Sequence, residues 1–185
     1  KTWAWETALD QLRDEAVDEE AFLASHAFGE QRDHPPRLID VLLRPEVMVF
    51  EPMWSLIPSN KAILPVLWQI YPGNPYLLET HFELTDAMAA QGYVRKPIVG
   101  RCGGNVTVID RDARVLAATE GQFEDRDDIY QELFRLPDIG GLHTQVCTFT
   151  VDGIDAGACV RCDGTLVIRS HSDLLALRVV PDAEL

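Results

Sequence analysis

The stretch Lys96-Pro97-Ile98-Val99-Gly100-Arg101-Cys102-Gly103-Gly104-Asn105-Val106 decides how the rest of the chain is read. A lysine and a short apolar run lead into a loop holding three glycines, an arginine and an asparagine. Apolar residues resume at Val106, Val108 and Val115-Leu116. This pattern predicts strand, loop, strand, because glycine reaches backbone conformations closed to other residues and lets amides approach a ligand closely. A glycine hairpin with cationic side chains is one way to cover a nucleotide's phosphates. A plain β-turn beside a surface lysine has the same local pattern.

Outward from that loop, Leu84 to Gly92 reads as a short helix ending at a glycine, and Tyr93-Val94 leads into the Lys96 strand. Beyond it, Asp110-Arg111-Asp112 turns a hairpin between Val106–Ile109 and Arg114–Leu116. Ile129 to Phe134 is expected to be a strand running into a short extended linker. Such a linker offers backbone amides and carbonyls to an adenine edge, as would any sheet edge. Strands are predicted over His143–Val151 and Ala156–Cys162 around an Asp152-Gly153 turn, with a final core strand at Leu166–Ile168. Ser172-Asp173 precedes a short C-terminal segment.

Toward the N-terminus, Trp5, Ala8, Leu9, Leu12 and Ala16 fall near helical spacing, so residues 1–25 are predicted helical, with Trp3 and Trp5 as core anchors. Residues 26–37, polar and carrying Pro35-Pro36, form a loop. The run 38–43 is too short to separate helix from strand, and Val47–Phe50 reads as a strand. One helical turn fits between Pro52 and Pro58, after which Ser59 or Asn60 caps a helix through Ala62, Ile63, Leu64, Leu67 and Trp68. Lys61 then sits at or just before that helix, where the macrodipole disfavours a cation. An anion held nearby and a simply solvated lysine both answer that placement. Hairpins alternating with a few helices make the chain α+β, mainly antiparallel.

The 185 residues carry 30 acids against 16 bases, a net charge of −14. That surface repels nucleic acid and anionic membrane and attracts cations, Mg²⁺ or a polycationic substrate among them. No apolar run approaches the roughly 18 residues of a membrane span. The cysteines are Cys102, Cys147, Cys159 and Cys162. The lone Cys159-x-x-Cys162 lies in a strand-like run, which argues against zinc and thioredoxin-type redox and for reduced thiols in a cytoplasmic protein. No GxSxG, HExxH or GxxxxGK[ST] motif occurs, and the five histidines are scattered. Lys61, Lys96, the glycine loop, the linker after residue 129 and Arg161 together suit a nucleotide-using ligase better than a hydrolase.

Two segments then carry a resemblance: Glu51-Pro52-Met53-Trp54 with Ile57 to Pro65, and Lys96 to Arg101 with Gly103 and Asn105. Both resemble motifs of the glutathionylspermidine synthetase family, which has an ATP-grasp fold. Lys1 to Thr7 and Gln145 to Val151 resemble the synthetase half of its bifunctional synthetase/amidase members. The resemblance implies that residues 1–185 are the C-terminal part of an ATP-grasp ligase domain, with a lid subdomain at about 61–130. It implies an amide-forming ligase that joins glutathione to spermidine through an acyl phosphate, using ATP and Mg²⁺. Lys61 and Lys96 match phosphate-contacting lysines, and Gly103 a backbone contact of the lid. Gln131, Glu132, Leu133 and Phe134 match the adenosine hinge; Leu166, Val167 and Ile168 match its opposite wall. Arg161 matches an arginine that stabilises the transferring phosphoryl group, Asp173 an acidic polyamine contact, and Thr7 a glutathione contact. Cys102 stands where some relatives carry an acid.

The resemblance also implies what is lacking. The Mg²⁺ ligands and paired substrate-binding acids have no counterpart in residues 1–185, and no metal ligand is assigned here. The chain starts with lysine rather than methionine, so it is expected to begin inside a longer polypeptide, to lean on the remainder of that polypeptide and to be inactive alone. A related acid–amine ligase with another substrate and a non-catalytic nucleotide-binding or structural module are the alternatives, and a homodimer is left open.

Overall fold

A computed structural model describes residues 3–25, 35–178 and 180–181. The chain divides into two compact units, Lys1–Ser59 and Asn60–Leu185. In the first, α1 (Trp3–Ser25) forms as its periodicity predicts, and the ambiguous run that follows is a helix, α2 (Leu38–Leu42). Trp5 and Ala8 are buried, and the Trp5 indole donates to the Glu51 carbonyl at 2.7 Å. A 3₁₀ turn (Met53–Ser55) leads into the single helical turn α3 (Leu56–Ser59). Residues 26–34 of the expected loop lie outside the described residues.

Val47–Phe50 is not a strand, contrary to the reading of its apolar run. The Val47 amide donates back to Arg44 O at 3.0 Å and closes a turn, while Phe50 is 90% exposed. A strand needs a ladder partner for its amides, and this segment pairs with none among the described residues.

In the second unit α4 (Ile63–Ile70) starts later than Asn60, but Asn60 still supplies the turn chemistry. Its Oδ1 accepts the Ala62 amide at 2.8 Å and its carbonyl the Ile63 amide at 3.2 Å, which leaves Lys61 just ahead of the helix. Pro65 lies in the first turn, where a missing N–H costs nothing. Then follow β1 (Thr80–His81), α5 (Asp86–Gln91), β2 (Gly92–Pro97), β3 (Thr107–Asp110), β4 (Val115–Ala118) and β5 (Asp128–Glu132). They build an antiparallel sheet in the order β1-β5-β2-β3-β4, so the strand carrying Lys96 is central. The hydroxyl of Thr85 caps α5 by accepting the Met88 amide, and Gly92 ends it.

The second sheet contains β6 (Asp138–Ile139), β7 (Leu142–Val151), β8 (Ile154–Asp163) and β9 (Asp173–Ala176), paired in that order. Asp152 and Gly153 both have positive φ, the primed turn that matches strand twist. Leu166–Ile168 is not the last strand; β9 is. The Asp163 carboxylate accepts the Thr165 amide and hydroxyl, both at 2.9 Å, and this side-chain turn replaces a ladder over the segment. The core lies against the first sheet, where Ile129, Val108, Phe123 and Met88 are buried. The class is α+β with antiparallel sheets, as the hairpin pattern predicts. No described helix is long and apolar enough to cross a membrane.

Candidate functional site

A cavity of about 240 Å³ lies within the second unit. Alternate residues of β2, Val94 and Lys96, face it, with Val108 opposite Val94 on β3. Leu133 and Phe134 line it from the linker after β5, and Leu166, Val167 and Ile168 from the irregular segment after β8. Gln145, Val106, Leu116, Arg135 and Leu136 complete most of the remaining surface. The sequence reading thus brings Lys96, Gly103, Leu133, Phe134 and Leu166–Ile168 to one cavity. It missed Val94, Val108 and Gln145, although period-two alternation around Lys96 points to the first of these.

The polar end is tightly specified. The Lys96 ammonium donates to Gln131 Oε1 at 2.5 Å. Gln131 Nε2 donates to Thr80 Oγ1 at 2.9 Å, and that hydroxyl donates to Leu78 O at 2.9 Å. Every donor and acceptor in this chain runs in one direction, so the Gln131 amide has one satisfied orientation. The Gln131 side chain therefore anchors Lys96 and does not line the cavity itself. Glu132 ends β5, its amide bonded to Glu79 O at 2.8 Å, and does not line the cavity either.

Lys61 is tied to the glycine loop from both ends. Its amide donates to Ile98 O at 2.8 Å, and its ammonium to Gly100 O at 2.7 Å. A Cβ at Gly100 would meet the Pro97 ring at 3.1 Å and the Lys61 ammonium at 3.4 Å, so a side chain here would crowd the lysine. Burial, and then the Lys61 charge, push the Lys96 pKa down to about 8. Two neighbouring cations, Lys61 held by a backbone carbonyl and Lys96 by the Gln131 side chain, form a cationic corner suited to an anion.

The loop between β2 and β3 folds back onto the wall. Gly103 has φ +70°, and a Cβ there would lie 2.6 Å from Ile168 O. Thr119 Oγ1 donates to Gly103 O at 2.5 Å and accepts from the Val106 amide at 2.9 Å. Asn105 takes a left-handed conformation, and its Oδ1 accepts the Phe123 amide at 3.0 Å. Cys102 is exposed at this loop, also at positive φ.

Arg161 lies on β8 opposite Gln145, and its Nη2 donates to Arg169 O. Asp163, two residues on, is held well below the usual carboxylate range by the Ser172 hydroxyl first, then by Thr165 and Arg169. Asp173 pairs with Cys162, so the pleat places it across the sheet from Arg161. Thr7 is an exposed residue of α1 in the first unit. Among the described residues no group of three His, Cys, Asp or Glu converges to hold a metal ion. The four cysteines are free; Cys147 faces Cys159 across β7 and β8, and burial pushes its thiol up.

A family model described as glutathionylspermidine synthase preATP-grasp matches residues 31–180. The chain is 49% identical over 180 residues to the bifunctional glutathionylspermidine synthetase/amidase of Escherichia coli, covering 97% of this chain and 29% of that protein. It is 38% identical over 185 residues to the trypanothione synthetase of Crithidia fasciculata, covering 97% of this chain and 27% of the relative. It is 30% identical over 133 residues to the glutathionylspermidine synthase of the same organism, covering 72% of this chain and 17% of the relative. The chain thus spans less than a third of the length of each of these three relatives.

Proposed function

The chain belongs to the glutathionylspermidine synthase preATP-grasp family, and from that premise we propose that it supplies the nucleotide-binding face of an ATP-dependent amide-forming ligase. The proposed reaction joins the glycine carboxylate of glutathione to an amine of spermidine. A carboxylate does not react with amines until it carries a leaving group; ATP supplies one as an acyl phosphate, which the amine displaces. The observation that carries this reading is Lys96, held by the Gln131–Thr80 chain and beside Lys61, facing a cavity lined mostly by apolar side chains.

In this reading the base lies between Leu133–Phe134 and Leu166–Ile168, with backbone groups of Gln131 to Phe134 at its edge. Lys61 and Lys96 neutralise phosphate oxygens, and the loop bearing Gly103 covers them as a lid. Arg161 meets the charge that grows on the transferring phosphoryl group. Thr7 and Asp173 are proposed as glutathione and polyamine contacts. Mg²⁺ would offset phosphate charge, but the described residues hold no ligand set that fits it, so no step is routed through the metal. The remainder of a longer synthetase polypeptide is the proposed partner for completing the site.

Replacing Lys96 with alanine in the natural polypeptide that carries this chain should weaken ATP binding by roughly 30-fold or more and abolish ADP release. Calorimetric titration with ATP, with a coupled ADP assay alongside, measures both, and native turnover in Lys96→Ala would remove the assigned role. A second reading, a related ligase with another amine, is favoured by the different products named for relatives of 49% and 38% identity. ADP release measured across spermidine, putrescine and amino acids separates the two.

A further inference from the structure

We propose that the Asp163–Ser172 pair is a positioning device for Arg161: it holds the Arg169 carbonyl that receives the Arg161 guanidinium. This deepens the proposed function and rests on the reading that Arg161 meets the transferring phosphoryl group.

The segment between β8 and β9 has no ladder of its own, so something else must fix its path. The Ser172 side of that path runs through one hydroxyl. Ser172 Oγ donates to Asp163 Oδ2 at 2.5 Å and accepts the Arg169 amide at 2.6 Å. The Ser172 amide donates back to Arg169 O at 3.2 Å. Both polar groups of the Arg169 peptide are therefore gripped by Ser172, and Ser172 is gripped by a carboxylate that is only 8% exposed. That Arg169 carbonyl accepts Arg161 Nη2. A guanidinium is a rigid planar fork, so fixing one N–H to a located acceptor sets the direction of the others. Thr165, held by the other carboxylate oxygen, leads into the cavity wall. One buried acid thus acts through two oxygens: Oδ1 holds the Thr165 turn and the Arg169 guanidinium at 3.4 Å, and Oδ2 holds Ser172 and through it the acceptor of Arg161. Asp163 and Ser172 touch no reacting atom in this account; they act through Arg161.

The test uses the natural polypeptide carrying this chain, followed in single turnovers so that slow variants are still read. Ser172→Ala should lower kcat roughly tenfold with the KM for ATP within about twofold, since the two positioning hydrogen bonds of the hydroxyl are lost and the Thr165 turn is kept. Ser172→Thr, which keeps the hydroxyl, should restore the native rate. Combined with Arg161→Lys, which keeps the cation but loses the fork, Ser172→Ala should add little further loss. A full tenfold loss in that background, a change confined to KM, or an unchanged kcat in Ser172→Ala overturns the proposal. Native turnover in Arg161→Lys and Arg161→Ala is a different result: it removes the role assigned to Arg161 itself. Asp163→Asn serves as the second variant should Ser172→Ala fold poorly; it should lower kcat and, because Oδ1 also holds the Thr165 turn, raise the KM for ATP, and its kcat loss should likewise add little in the Arg161→Lys background.

Discussion

The two sheets of the second unit solve their burial problem in opposite ways. The five-stranded sheet is short-stranded but packed at its centre: Ile129 is 0% exposed and Thr80 1%, and its middle strand carries the half-buried, hydrogen-bonded Lys96. The second sheet has the longest paired strands, yet only one end is buried, at Cys162 and Asp163. Its other end leaves Phe149 54%, Val151 69% and Ile154 71% exposed. Ladder length is therefore not what stabilises here. A backbone ladder exchanges water hydrogen bonds for internal ones at small net gain, whereas removal of apolar area from water is favourable. The five-stranded sheet holds Lys96 in a fixed frame, while the second contributes Gln145 to the cavity near its single buried end.

The sharpest way to break this contrast is Ile129→Ala. Truncating a fully buried isoleucine should lower unfolding stability by about 2–5 kcal/mol, read as a shifted urea midpoint at constant slope. A loss below about 1 kcal/mol would mean that the five-stranded sheet is not the packed centre. Next comes Thr80→Val, which keeps the shape and removes one hydroxyl. It leaves the Gln131 amide nitrogen unpaired in the interior, so a cost of about 1–3 kcal/mol is expected by the same measurement. Freed from Thr80, the Gln131 amide no longer has one fixed orientation toward Lys96, and ATP affinity should fall with it.

Much of the second unit was legible in the chain itself. Lys96 and its glycine loop, the Asn60–Lys61 turn and the hairpins at Asp110–Asp112 and Asp152-Gly153 all rest on local turn chemistry, which sequence states directly. What was hidden depends on long-range partners. Gln131 read as part of an extended hinge, whereas its side chain reaches back 35 residues to fix Lys96. Leu166–Ile168 has the composition of a core strand, but Asp163 occupies the amide and hydroxyl of Thr165 and turns the chain away from pairing. Val47–Phe50 failed for want of a partner. Apolar composition reports burial or exposure to a ligand, and it does not say whether a neighbouring ladder exists to receive the backbone.

The cationic corner yields a smaller, pH-dependent effect. The Lys96 pKa of about 8 lies below its ordinary 10.5, so the folded chain binds fewer protons than the unfolded chain between those values. Stability should therefore rise with pH across that window. ATP affinity should move the opposite way: an anion selects the protonated lysine, so binding weakens above pH 8 by up to about tenfold per unit and takes up protons. Calorimetry in buffers of different ionisation enthalpy measures that uptake. In Lys61→Ala the break should move upward, because one cation that disfavours the charged form is gone, though burial, the larger cause, persists. A break that stays near pH 8 would assign the depression to burial alone.

The smallest expected effect is the one that tests the open end of the second sheet. Ile154 pairs with Val151 at the tip of the β7–β8 hairpin and is 71% exposed. Ile154→Thr keeps the β-branched shape that suits a strand and removes only apolar surface already in contact with water. Its cost in this chain should stay within about 0.5 kcal/mol, a tenth to a quarter of that at Ile129. The register is set elsewhere, by the primed turn and by the buried pairs near Asp163, so the ladder has no reason to slip. A loss above about 1 kcal/mol would show that Ile154 is covered in solution, and the difference between the sheets would then be one of partner rather than of construction.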